Sequence, residues 1–143
     1  MQSFDASRTP PSVAGDCNPA PLQAGFLAPA LFDWLEAADG DALDSLLFGV
    51  IAMAPDGTVE HYNTAESKLA NLIPEKVVGR HFFTAVAPCT NNFMVAHRFE
   101  SEAAIDVVID YIFTFRIAPR AVRLRLLKQP GGRRMYLAVA KPG

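Results

Sequence analysis

The chain has 143 residues, half of them hydrophobic and a fifth charged, which suits one domain burying about two-thirds of its unfolded surface and excludes wholesale disorder. Thirteen Lys plus Arg against fifteen Asp plus Glu leave a net charge of −2, so no basic field recruits nucleic acid or anionic lipid. No run approaches the roughly 20 apolar residues of a membrane span, and the N-terminus has neither the basic start nor the apolar run of a signal peptide, so the expected location is cytoplasmic.

Residues 1 to 30 hold five of the eleven prolines, six alanines and only three charges, with no period that buries a face. They read as a flexible Pro/Ala-rich tail containing Cys17, and residues 31 to 143 as the domain proper. In Leu31-Phe32-Asp33-Trp34-Leu35-Glu36, apolar residues at i, i+3 and i+4 predict a short helix stopped near Asp39-Gly40. Asp41 is a candidate cap for a second short helix carrying Leu43, Leu46 and Leu47. Phe48 to Met53 is a buried strand run, Pro55-Asp56-Gly57 a turn, and Thr58 to Tyr62 the returning strand of a hairpin.

The strand signal disappears from Asn63 to Phe99. Asn63 or Thr64 can cap a helix over Ala65 to Asn71, Pro74 and Gly79 suit a helical start and stop, and Asn92 can cap Phe93 to Glu100. Ile105 to Ile117, Ala121 to Leu127 and Met135 to Ala140 are then strand-like, the last reached through Pro130-Gly131-Gly132. The expected class is α+β, with five antiparallel strands flanked by short helices. Arg120, Arg123 and Arg125 read as a solvated face, because Val122, Leu124 and Leu126 alternate with the latter two as an inward row does.

Two cysteines, Cys17 and Cys89, exclude a disulfide framework, and neither stands at the spacing of a zinc site. Cys89, in the apolar stretch Val86-Ala87-Pro88-Cys89, reads as a buried inert thiol or as a nucleophile that would need His61, His81 or His97 as its base. Tyr62 and Glu66 lie four apart across the exit of a strand into a helix. They either aim their oxygens at one site or stand as a surface hydroxyl and a solvated carboxylate.

The elements Phe48-Gly49, Asp56-Gly57, Tyr62-Asn63-x-Ala65-Glu66, Val77-Val78-Gly79-Arg80-His81-Phe82-Phe83 and Val86-Ala87-Pro88-Cys89-Thr90, continued by Tyr111-x-Phe113 and Pro119, closely resemble the photoactive yellow proteins. The resemblance covers about residues 31 to 143. It implies a PAS fold with an N-terminal helical cap and a non-enzymatic blue-light receptor. Its cofactor would be 4-hydroxycinnamic acid (p-coumaric acid), held as a thioester on Cys89, with Tyr62 and Glu66 hydrogen-bonding the phenolate.

A carboxylate facing that phenolate would set two like charges in low dielectric, so Glu66 must carry a proton. Trans-to-cis isomerisation would move that proton and loosen the cap helices of Leu31 to Leu47. The expected pigment lining is Ile51, Ala70, Leu72, Phe82, Val86, Ala87, Phe113 and Ile117. The sequence departs from the family at Leu72 (usually arginine), Ala70 (threonine in some members), Phe115 (tyrosine), Ile117 (methionine) and Tyr136 (tryptophan, where only packing should change). Slow dark recovery is expected from Ile117, which lacks a flexible thioether. The expected partners are the covalent pigment and a downstream signalling protein, with a homodimer possible and no nucleic acid or membrane. The alternatives are a PAS module without pigment, serving as a ligand-binding or protein-interaction domain, and, more remotely, a cysteine hydrolase.

Overall fold

In the computed structural model, residues 25–114 and 119–142 are described. Residues 25–31 and the described chain from Phe32 fall into separate units. In the first, Ala28 N–H closes a turn onto Gly25 O at 3.0 Å. Cys17, most of the tail, Phe115 and Ile117 lie outside the described residues.

The element order is α1 (Leu31–Ala37), α2 (Gly40–Asp44), β1 (Gly49–Met53), β2 (Val59–Tyr62), α3 (Thr64–Ala70), α4 (Ala96–Ser101), β3 (Ile105–Thr114), β4 (Pro119–Lys128) and β5 (Met135–Ala140). Between α3 and α4 the chain makes a 3-10 turn at Pro74–Lys76, a π-helical turn at Phe82–Val86 and a second 3-10 turn at Pro88–Thr90. The strands form one antiparallel sheet in the order β2-β1-β5-β4-β3.

The hairpin forms where proline and glycine predict it, with Gly57 at φ 94° and Ala54 N–H bonded to Thr58 O at 2.8 Å. Alternation sorts the last three strands into two faces. Val122, Leu124 and Leu126 of β4 join Met135, Leu137 and Val139 of β5 in the core with Phe82, Phe83 and Phe99 from the helical middle. Tyr136 of β5 alternates onto the opposite face. Its ring stands edge-on to Phe32 at 5.7 Å, and its hydroxyl donates to Glu36 Oε2 at 2.8 Å, which docks α1 on the sheet.

Several expectations are corrected. Asp39, not Asp41, caps α2, its side chain accepting from Ala42 N at 2.8 Å. Leu47 follows that helix and is 91% exposed, while Leu43 and Leu46 are buried, because α2 ends at Asp44 and Leu47 no longer shares its face. Asn92 does not start α4 directly: its Oδ1 accepts from Met94 N and Val95 N, and α4 begins at Ala96. Arg125 is not solvated. Only 5% exposed, it makes a two-pronged pair with Asp106 at 2.8 and 2.9 Å, because the outward row of β4 is sheltered by its neighbour on β3.

Candidate functional site

Asn63 sets the local geometry. It has no exposed surface and uses all four hydrogen-bonding positions of its amide. Oδ1 accepts from Val50 N at 2.9 Å and Glu66 N at 3.0 Å, and Nδ2 donates to Leu43 O at 2.9 Å and Phe48 O at 3.1 Å. Asn63, rather than Thr64, is therefore the N-cap of α3. A glutamate three residues after the cap commonly folds back onto the cap's own N–H. Here that N–H is taken by Val50 O at 3.1 Å, and the Glu66 side chain turns inward.

The inward turn has room because Gly49 of β1 lacks a side chain: a Cβ there would meet Glu66 Oε1 at 2.2 Å. Glu66 is 1% exposed and Tyr62, at the end of β2, 2%, which excludes a solvated surface pair. Tyr62 Oη donates to Glu66 Oε2 over 3.5 Å, long for an O–H···O bond. Glu66 Oε1 is buried without a partner. Burial pushes the Glu66 carboxyl up to about 8, against the bond from Tyr62 and the positive charge of Arg120, which both pull it down. The Tyr62 hydroxyl is raised by burial first and then by the charge of Glu66. The pair thus offers two protonated oxygens at neutral pH.

Cys89 lies in the middle of its 3-10 turn and is half-buried rather than sealed in the core. Its carbonyl oxygen is held by Tyr111 Oη at 2.6 Å and Asn92 Nδ2 at 3.2 Å, and Asn92 Nδ2 also donates to Tyr111 Oη at 2.7 Å. Thr90 Oγ1 closes the turn onto Ala87 O at 2.7 Å. His61 and His81 are engaged with Asp44 and Thr84.

Ile51, Tyr62, Phe82, Ala87 and Phe113 belong to one buried apolar cluster, and Ala70, Leu72, Val86 and Cys89 pack against it from partly buried positions. The chain thereby gathers around one core every expected lining residue that is described. The residue types fit a phenol-bearing thioester group on physical grounds. The core end supplies two protonated groups, with Glu66 Oε1 lacking a partner, and the turn supplies a half-buried free cysteine packed against the apolar cluster. Sequence reasoning missed the clamp of Asn92 and Tyr111 on the Cys89 carbonyl and the berth at Gly49. Only the Asn-x-x-Glu spacing hinted at part of this geometry.

Comparison with known proteins follows the same lines. The photoactive yellow protein of Rhodothalassium salexigens is 31% identical over 106 residues, 71% of this chain and 85% of the relative. That of Cereibacter sphaeroides is 30% identical over 115 residues, 76% of this chain and 90% of the relative. The chain belongs to the photoactive yellow protein family. No family model matches the chain. The crystal structure of the photoactive yellow protein domain from the sensor histidine kinase Ppr of Rhodospirillum centenum superposes with a TM-score of 0.70 at 34% identity, over 77% of this chain and 99% of that one. A PAS domain of an HTR-like protein from Haloarcula marismortui, 15% identical with a TM-score of 0.52 over 76% of this chain and 94% of that one, shares the fold. Membership in the photoactive yellow protein family places the chain among PAS photosensors. Among the described residues no helix is long and apolar enough to cross a membrane, and no cluster of His, Cys, Asp and Glu could hold a metal ion.

Proposed function

We propose that this protein is a non-enzymatic, cytoplasmic blue-light receptor that carries 4-hydroxycinnamic acid as a thioester on Cys89. When bound, that group supplies a light-driven trans-to-cis isomerisation and a buried phenolate charge. Tyr62 Oη and the protonated Glu66 carboxyl donate to the phenolate oxygen, meeting the need of a buried anion for converging donors. Ile51, Ala70, Leu72, Phe82, Val86, Ala87 and Phe113 line the apolar walls and exclude water. The observation that carries the reading is the orphaned oxygen of Glu66: a buried acid beside a buried phenol, with hydrogen-bonding capacity left over.

After isomerisation the phenolate oxygen would take the Glu66 proton, becoming a neutral phenol and leaving a carboxylate in low dielectric, which is costly. The strain reaches the N-cap of α3 and passes through Asn63 to Leu43 of α2, the route by which the cap helices loosen. A photoactive yellow protein domain occurs in a sensor histidine kinase of Rhodospirillum centenum, which supports a signalling protein as the downstream partner.

The test is reconstitution of purified apoprotein with activated 4-hydroxycinnamic acid. A yellow adduct that maps to Cys89 by mass spectrometry, bleaches in blue light and recovers is the expected result. A colourless product makes the chain a PAS interaction module, and catalytic release of free acid makes it a hydrolase. Recovery should be slow, and fast recovery that Ile117→Met leaves unaltered removes the link to Ile117.

A further inference from the structure

A peptide group is planar, so its orientation is fixed once both of its edges are held. The group joining Cys89 to Thr90 is held on both. Its N–H donates to Ala87 O at 2.9 Å, and its carbonyl oxygen accepts from Tyr111 Oη at 2.6 Å and Asn92 Nδ2 at 3.2 Å. The group before it, joining Pro88 to Cys89, has its oxygen taken by Asn91 N–H at 3.0 Å. With the peptide on either side held, the Cα–Cβ bond of Cys89 has one direction, and only rotation about that bond is left to place the sulfur in a staggered well.

The 3-10 turn closes on Ala87 O and Pro88 O, whereas both donors to the Cys89 carbonyl come from outside it. Tyr111 comes from β3 and Asn92 from the approach to α4. Each donor is itself braced. The Tyr111 ring stands edge-on to Phe113 at 5.9 Å. Asn92 Oδ1 accepts from Met94 N and Val95 N, and Nδ2 also donates to Tyr111 Oη at 2.7 Å. One donor meets the need of a half-buried carbonyl; two that also bond each other restrict its direction.

We propose that Asn92 and Tyr111 are positioning residues that fix the direction in which Cys89 presents its sulfur, and so anchor an attached group at that end. Fixing the sulfur stands on the bonds alone, whereas anchoring a pigment rests on the photosensor reading. Cys89 packs against the core cluster that contains Tyr62, and Tyr62 bonds the acid whose other oxygen lacks a partner. A group reaching from the turn to that pair has one end held covalently on a backbone braced from a strand and a helix entry, and the other held by hydrogen bonds. Rotation within it is then taken up at the hydrogen-bonded end.

The decisive measurement is made on apoprotein carrying Cys17→Ser, in which the infrared S–H stretching band belongs to Cys89. A positioned thiol gives one narrow band, and a released one a broad or split band, because each rotamer meets different surroundings. Tyr111→Phe removes one donor. Asn92→Asp keeps an oxygen for Met94 N and Val95 N, and so the entry to α4, but takes away the NH2 that grips the carbonyl. Both variants should broaden the band by at least about twofold. Ser67→Ala, which removes a bond to Leu72 O away from the turn, should leave it narrow. A parent band already broad, a smaller change in either clamp variant, or equal broadening in Ser67→Ala overturns the inference. In 4-hydroxycinnamoyl-loaded protein, both clamp variants should lower the bleaching quantum yield by at least about twofold and leave the absorption maximum in place, since the phenol end is untouched. An undiminished yield overturns the anchoring. An apoprotein that shows the broadening but never takes up colour upholds the positioning and sinks the photosensor reading. A coloured, bleaching protein whose apo-form band does not respond does the reverse.

Discussion

At the acid end of the site, Glu66 keeps one oxygen without a partner although only 1% of the residue is exposed. At the cysteine end, Cys89 is half-buried, yet its carbonyl oxygen accepts from both Tyr111 and Asn92. An asparagine pins the backbone at both ends, Asn63 in one case and Asn92, together with Tyr111, in the other. The difference lies in the side chains. The cysteine end is mechanically complete, with its cysteine free and half-buried, while the acid end is electrostatically incomplete and holds a proton that its surroundings make easy to keep and costly to lose.

The most damaging way to break this comparison is at Asn63. Asn63→Ala removes the hydrogen bonds to Val50 N, Glu66 N, Leu43 O and Phe48 O and should cost about 4 kcal/mol, at roughly 1 kcal/mol for each buried bond lost. Chemical denaturation measures it. A loss below about 1 kcal/mol would show that the asparagine is not the hub.

The next effect sharpens the electrostatic half. The folded-state pKa of Glu66, about 8, lies above the ordinary 4.5, so between these values the folded chain keeps a proton that the unfolded chain has lost. The stability contributed by the neutral acid is therefore complete below about pH 4.5 and disappears as pH rises through 8. Apoprotein stability should fall across that window by an amount on the order of a few kcal/mol, and Glu66→Gln should flatten the slope. An unchanged slope in the glutamine variant would assign the pH dependence elsewhere.

Gly49→Ala places a methyl group 2.2 Å from Glu66 Oε1 and should cost about 2 kcal/mol by overpacking, while making the Glu66 midpoint less elevated as the carboxyl is pushed from its berth. Denaturation and infrared titration read the two effects. The smallest effect belongs to the cysteine end: Tyr111→Phe removes the 2.6 Å bond to Cys89 O and should lower stability by about 1 kcal/mol. It should leave the Glu66 midpoint unchanged, since the two ends are separately held. A moved midpoint would show that they are coupled.

Much of this was legible before folding was considered. The Tyr-Asn-x-Ala-Glu and Ala-Pro-Cys-Thr elements, the hairpin at Pro55-Asp56-Gly57 and the alternation of the last strands all lie in short stretches whose chemistry is local. The errors were also informative. Asp41 and Asp39 are both adequate caps, and their choice depends on where the preceding turn releases the chain. Arg125 looked solvated because its pairing with Asp106 spans two strands. The π-helical turn at Phe82–Val86 has no local signature, and its place is fixed by the aromatic packing of Phe82 on Phe83 and Phe83 on Phe99.

By itself the sequence determined the residue types of the site, the order of the strands and the inward row of β4, because periodicity and turn chemistry act over a few residues. Only the tertiary structure decided that Glu66 is sealed from water, that Gly49 makes room for it and that two donors clamp Cys89 from behind. Burial and electrostatic environment are properties of segments brought together from across the chain. A carboxyl group on α3 whose neighbours are set by β1 and β2 cannot show its protonation state in the residues beside it.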